Sequence, residues 1–235
     1  MVIEYFAIIK LVKLLLTSSG LTNKSIRNAL LDLLDKPFNE AKLVFIPTAS
    51  TAEGGHHDWF IDDLNAAYNL SWKEFDILEL NGLPKDMILK RLDHADAIYV
   101  EGGNVYHLAR SITNNWLADD FLKILRTKVY VGVSAGSMIF SRNLTEKVAQ
   151  AFGELDELKE LHIDSITPPL NLFDWYIKPH YNARYLPERN KSWAEKIATK
   201  VSFPIYFIDD QTALKVVDDE VEVISEGSWR LLNSA

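Results

Sequence analysis

A serine stands between two glycines in Gly132-Val133-Ser134-Ala135-Gly136, inside the stretch YVGVSAGSMIF that passes from an apolar run into a helical pattern. Serine gains little in a strand or a helix interior, because its hydroxyl competes with the backbone for hydrogen bonds. The G-x-S-x-G pattern at a strand-to-helix turn is that of a nucleophile elbow. Such a turn lifts the hydroxyl over the carboxyl edge of a sheet, and the glycines let neighbouring backbone pass close by. The Ala135 amide would then open a helix, where it can donate to a developing oxyanion. A serine that only caps the helix is the plainer alternative; the apolar strand before it and the helix after it favour the nucleophile.

A serine hydroxyl needs a base, and the chain has six histidines. His180 stands out because IKPHYN closes an apolar run, which would bring its ring to a strand's carboxyl edge. His107 lies at helical spacing, His94 near a helix end and His162 in an acidic loop; each reads as packed or surface. His56 and His57 beside Asp58 lack a third ligand at fixed spacing, so no metal site is expected. A second glycine turn follows a strand in YVEGGNVYHLAR. Gly102-Gly103-Asn104 matches neither the G-x-G-x-x-G nor the Walker pattern of a phosphate cradle. The other reading gives Gly103 as a second oxyanion donor and Asn104 as a substrate contact. Two glycine turns on successive strands flanking one crevice favour that reading.

The elements that would position these residues are short apolar runs alternating with amphipathic stretches, the pattern of a mostly parallel sheet with helices on both faces. Strands are expected over residues 14–17, 43–47, 75–80, 97–101 and 129–133. The intervening helical stretches include LTNKSIRNALLDLLDK, capped by Thr22 or Asn23, and LPKDMILKRLDHA, with Pro84 at a first helical position. Beyond Ser134 the regularity is lost over about thirty residues, a length that marks a functional segment more often than a plain connection. A strand within DWYIKPHYN, a helix over 188–200 and three strands, PIYFID, ALKVV and EVEVI, joined by acidic turns, complete the chain.

The chain has 235 residues, 48% hydrophobic, which suits one α/β domain over 1–235. Residues 1–12 read as an extension of unassigned role, broken by Glu4 and Lys10 and too short to span a membrane. With no cysteine there is no disulfide, no thiolate zinc site and no cysteine nucleophile, and a cytoplasmic, reducing compartment is expected. A formal net charge of -8 gives nucleic-acid binding no electrostatic support. No cofactor and no membrane partner are expected. The six tryptophans and the N-terminal extension could contribute to a homodimer interface, although a core role for the tryptophans is the plainer reading.

FIPTAS, YVEGGNVYHL, GVSAGS and LFDWYIKPHYN occur in an order and approximate spacing that resemble the peptidase E (aspartyl dipeptidase) family of serine peptidases, to which the cyanophycinases are related. The likeness runs from about Lys13 to the final strands. It implies a flavodoxin-like sandwich resembling class I glutamine amidotransferases, with serine in place of the cysteine nucleophile. It also implies Ser134 as nucleophile, His180 as general base, and Gly103 and Ala135 as the oxyanion hole. The substrates implied are short peptides, in particular dipeptides with N-terminal aspartate. An acidic residue of that kind needs a cationic partner, for which Arg142 and Arg184 are the nearest in sequence. The chain departs from the family at the triad acid, since the usual interval after the serine falls at 149–151, where no acid stands. An insertion would shift the role to Glu154, with Glu146 and Asp156 as neighbours; Asp174 reads as a structural acceptor. Two other readings share the same elbow: an esterase of another α/β-hydrolase type, and a non-catalytic binding protein on the same scaffold.

Overall fold

In the computed structural model, residues 12–115 and 117–234 are described, so that the extension expected over 1–12 lies outside them but for Val12. Five strands run parallel: β1 (Lys13–Thr17), β2 (Lys42–Ile46), β3 (Glu74–Ile77), β4 (Ala97–Val100) and β5 (Val129–Val133). Their connections carry α1 (Lys24–Leu34), α2 (Asp58–Tyr68), α3 (Lys85–His94), α4 (Val105–Asn114) and α5 (Ala118–Ile124). After β5 come α6 (Ala135–Met138), α7 (Glu146–Phe152), α8 (Leu155–Glu160), β6 (Tyr176–Lys178), α9 (Lys191–Ala198) and four strands. These are β7 (Ile205–Ile208), β8 (Thr212–Val217), β9 (Glu220–Ser225) and β10 (Trp229–Leu232).

The central sheet has seven strands in the order β3-β2-β4-β5-β1-β8-β9, with β8 and β9 antiparallel to the rest. Its inner strands are buried on both faces, which is why they read as unbroken apolar runs rather than as alternation. Side chains of opposite parity serve two cores. Leu15, Phe45, Tyr99 and Val131 pack with α1 residues such as Ile26 and Leu30, while Leu14, Leu16, Val44, Ile98 and Tyr130 pack with α3, α4 and the segments after β5. The period of two along each strand thus divides the molecule into two layers on one sheet. Within α1, Ile26, Leu30, Leu33 and Leu34 make the apolar stripe, and Asn23 Oδ1 accepts from the Ile26 amide at 2.9 Å to cap the helix. Pro84 sits one residue earlier than expected, at the cap of α3.

The irregular stretch after Ser134 forms α7 and α8 and a coil, which fold onto the second core through Val148, Ala149 and Leu158. The strand in DWYIKPHYN is only three residues long and belongs to a separate three-stranded sheet, β10-β7-β6. That sheet shares the core through Tyr176, Ile177, Ile205 and Phe207. The last strand, β10, is not among the expected elements; it pairs antiparallel with β7 from Trp229↔Ile208 to Leu232↔Ile205. No helix among the described residues is long and apolar enough to cross a membrane.

The turn after β5 is the most crowded part of the fold. A Cβ at Gly136 would lie 2.2 Å from the Val100 carbonyl oxygen, and one at Gly132 would lie 2.7 Å from the Gly136 carbonyl. Tyr130 donates its hydroxyl to the Gly136 carbonyl at 2.7 Å, and Ser137 donates to the carbonyls of Thr17 and Gly132. Gly136→Ala is therefore expected to cost roughly 1–3 kcal/mol or more through overpacking. Gly54→Ala, at a position with nothing within 4 Å, is expected to be close to neutral by comparison. Urea unfolding midpoints of the two variants check the difference.

Candidate active site

Ser134 is set on this crowded turn. Its φ of 44° and ψ of -104° are unusual for a residue with a side chain, a conformation that costs of order 1–3 kcal/mol and persists only where the surroundings impose it. The surroundings here are the Ser134 amide donating to the Thr17 carbonyl at 3.1 Å, and the Ser137 and Met138 amides closing onto the Ser134 carbonyl. The hydroxyl is thereby held over the carboxyl edge of the sheet, half-buried, with the Ala135 amide at the start of α6.

The second glycine turn comes up beside it. A Cβ at Gly102 would lie 3.3 Å from Ser134 Cβ, so the two turns touch. Gly103 has φ of 124°, and its absent Cβ would fall 2.5 Å from the Ala49 carbonyl atoms. Only glycine fits there. The FIPTAS segment is the seat against which this turn rests, and the Asn104 amide donates to the Ala49 carbonyl at 3.0 Å. The Asn104 side chain faces the helix rather than open space. Its Oδ1 accepts from the Tyr106 and His107 amides as the cap of α4, and its Nδ2 donates to Glu157 at 3.1 Å. The expectation that Asn104 contacts substrate gives way to this: its amide is committed to holding the glycine turn against α4.

His180 follows β6 with a φ of 64°. Its Nε2 lies 3.0 Å from Ser134 Oγ and its Nδ1 lies 2.8 Å from Asp210 Oδ1. The carboxylate that orients the ring is thus Asp210, just beyond β7, not Glu154. Ser18 donates to Asp210 Oδ1 at 2.8 Å and accepts from the His180 amide at 2.8 Å, while Tyr185 donates to Asp210 Oδ2 at 2.8 Å. Burial pushes the Asp210 carboxyl up, but the hydrogen bond and charge of His180 and the hydroxyls of Tyr185 and Ser18 outweigh it and hold the group below its ordinary range. A carboxylate kept ionised against Nδ1 fixes the ring so that Nε2 faces the serine, the arrangement that acyl transfer through serine requires.

Glu154 is turned the other way. It forms a buried ion pair with Lys178, whose side chain is 3% exposed, and accepts from the Tyr106 hydroxyl at 2.8 Å. Burial raises its carboxyl and Lys178 lowers it further, so that the ionised pair is the stable form. Glu146 accepts from the Ile166 amide, Asp156 pairs with Lys159 on the surface, and Asp174 is exposed. None of the four carboxylates weighed by spacing from the serine bonds to His180. The only visible signal for Asp210 was the acidic pair that closes the PIYFID run, at the same kind of strand end as His180.

The Ser134 hydroxyl opens into a cavity of about 540 Å³ along the sheet edge. Ser18, Ser19, Trp59, Asp63 and Glu101 line it beside α1 and α2, and Val105, Met138, Glu154, Glu157, Lys178 and Arg189 line it on the other side. Arg142 and Arg184 are exposed and do not line it; the cations that do are Lys178 and Arg189. Among the described residues Arg189 makes no salt bridge, and its guanidinium lies 5.9 Å from the Trp193 ring. Glu157 is pushed up to about 7, by burial first and then by the charge of Glu154. Among the described residues no group of three or more His, Asp or Glu side chains is placed to hold a metal ion. His56 and His57 sit on an exposed loop, and His94 pairs with Glu74.

A family model described as peptidase family S51 matches residues 14–224. An uncharacterized peptidase of Pasteurella multocida is 28% identical over 183 residues, covering 77% of this chain and 84% of that protein. A Drosophila melanogaster protein named probable alpha-aspartyl dipeptidase is 25% identical over 147 residues, covering 61% of this chain and 59% of that protein. The crystal structure of a putative peptidase E protein from Listeria monocytogenes aligns with a TM-score of 0.72 at 25% identity, over 92% of this chain and 98% of that one. The chain belongs to peptidase family S51 and is a serine peptidase.

Proposed function

We propose that the protein is an exopeptidase that hydrolyses short peptides with N-terminal aspartate through an acyl-enzyme on Ser134. The observation that carries the reading is the continuous hydrogen-bonded chain from Ser134 Oγ through both nitrogens of His180 to Asp210. Ser134 Oγ attacks the scissile carbonyl carbon as His180 Nε2 takes the hydroxyl proton. The carbonyl π electrons move onto oxygen, where the amides of Gly103 and Ala135 receive the charge. The tetrahedral adduct collapses, the C–N bond breaks, and His180 returns its proton to the leaving amine. Water then attacks the ester by the same route in reverse and frees the serine. Asp210 stays ionised throughout and steadies the imidazolium.

Arg189 is the group suited to an acidic side chain, because it lines the cavity and makes no salt bridge among the described residues. Lys178 is already neutralised by Glu154, so its role is to fix the wall. The Drosophila relative's name supports aspartate at the N-terminus, and the Arg189 guanidinium is the feature of this chain that agrees with it.

A fluorophosphonate probe is expected to label the wild type and not Ser134→Ala, read by intact mass; absence of labelling in the wild type overturns the mechanism. Asp210→Asn should lower kcat by roughly 10⁴, as loss of the orienting acid does in other serine triads, whereas Glu154→Gln should fall far short of that loss. Steady-state kinetics on an aspartyl dipeptide separates the two.

Arg189→Met should reduce kcat/KM for that substrate by roughly 10- to 100-fold, the range of a charge-assisted hydrogen bond, and act mainly through KM. With Glu157 titrating near 7, raising the pH through neutrality adds a negative charge to the same wall. KM for an acidic substrate should therefore climb above that pH, and Glu157→Gln should flatten the climb.

A further inference from the structure

One large side chain on the cavity wall belongs neither to the triad, nor to the glycine turns, nor to the core. Trp59 stands in the first turn of α2 and is 42% exposed. Of the large apolar side chains exposed among the described residues, only Trp59 and Tyr185 line the cavity, and the Tyr185 hydroxyl is already engaged with Asp210. The Trp59 indole stacks on His57, with 6.0 Å between centroids and 28° between planes, and meets Phe60 edge-on at 6.2 Å and 78°.

The helix that carries it is fixed in place. Asp63 lies one turn further along α2 and therefore on the same face. It is buried and accepts from the Tyr99 hydroxyl at both oxygens, at 2.9 and 2.8 Å, which ties α2 to β4. Phe60 packs on Phe45 of β2 with ring centroids 6.1 Å apart. The chain enters α2 from the carboxyl end of β2, so the first turn, and Trp59 with it, belongs to the sheet edge where Ser134 stands. A half-bare indole held at that edge is apolar surface that a ligand can cover with a gain in free energy.

Position along the scissile bond selects the ligand. In the reading proposed above the acyl residue points to Arg189, on the side of the cavity that Met138 and Lys178 help to form. The two substituents of the carbonyl carbon leave it in diverging directions, so the amine-side residue is directed to the opposite wall, which holds Trp59, Ser18 and Ser19. We infer that Trp59 forms the subsite for the side chain of the residue released by the cleavage, and that it selects a large apolar side chain there, above all an aromatic one. The inference rests on the aspartyl-peptidase reading of the same cavity. Glu53 also lines the cavity, but it is exposed, and a solvated carboxylate gains little from a cationic side chain. The indole gains in proportion to the area covered, which an aromatic ring supplies best.

The test compares kcat/KM for the dipeptides Asp-Phe, Asp-Ala and Asp-Lys. The wild type is expected to prefer Asp-Phe over Asp-Ala by roughly 10-fold, the range of one aromatic contact and the area it buries. Trp59→Ala is expected to bring that ratio close to one, and Trp59→Phe to keep part of it. A wild-type ratio near one overturns the subsite, as does a Trp59→Ala enzyme that loses rate on both substrates equally and keeps the ratio. Asp-Lys as the best of the three overturns the apolar assignment. Should Trp59→Ala fail to fold, product inhibition of the wild type decides the matter: phenylalanine should inhibit more strongly than alanine, and equal inhibition overturns the subsite. Fluorophosphonate labelling of Ser134 run alongside tells the failures apart. A labelled serine with Asp-Phe and Asp-Ala cleaved equally well removes the Trp59 subsite alone. An enzyme that cleaves none of the three dipeptides removes the aspartyl reading, and the subsite falls with it.

Discussion

Ends of strands from two different sheets have to meet over one edge for this site to exist, and one buried hydroxyl ties them. Ser18 follows β1 in the central sheet, accepts from the His180 amide beyond β6, and donates to Asp210 beyond β7. Ser134 reaches the same place from β5, which neighbours β1, with its amide on the carbonyl of Thr17. Without that link the smaller sheet would be placed only by apolar packing, which is non-directional and tolerates small shifts. Reactive geometry does not, since an ångström of misplacement can cost two orders of magnitude in rate.

Packing around the elbow follows from the same demand. For Ser134 to stand above the sheet, the chain must reverse sharply, and the reversal brings Gly132 and Gly136 onto each other and Gly136 onto Val100. The strained φ of Ser134 persists because these contacts leave the turn no alternative path. Gly102 and Gly103 repeat the device one strand away, against Ser134 and Ala49. The four glycines answer one steric requirement, that several backbone segments converge where a carbonyl is to be held.

This convergence is why the serine, the histidine and the glycine turns were legible as a group in the sequence, since glycine pairs at strand ends record close backbone approach directly. The alternation of apolar and amphipathic runs likewise announced the parallel sheet, since β1, β2, β4 and β5 are buried on both faces. Asp210 left no comparable mark. It sits in Ile-Asp-Asp-Gln, which reads as a solvated acidic turn, and its partner His180 lies across a connection that includes all of α9. Distance along the chain from Ser134 pointed to Glu154, yet α7 and α8 fold back onto the core and deliver that carboxylate to Lys178. Strand β10 was hidden for a similar reason: four residues with exposed Trp229 carry no pattern of their own, and they become a strand by pairing with β7.

The cavity's charges are arranged by pairing rather than by number. Acids outnumber bases on its wall, yet Glu154 is cancelled by Lys178, Glu157 is driven toward its neutral form, and burial raises the carboxyls of Asp63 and Glu101. Breaking the buried Glu154–Lys178 pair at one end would strand a charge at a cost of about 3–5 kcal/mol, so that wall is fixed electrostatically before any substrate arrives. On the same wall Arg189 makes no salt bridge among the described residues. A side chain that carries a carboxylate is complementary to that guanidinium, and a neutral residue would leave it unanswered. Specificity of this kind arises from the penalty on the wrong ligand as much as from attraction to the right one.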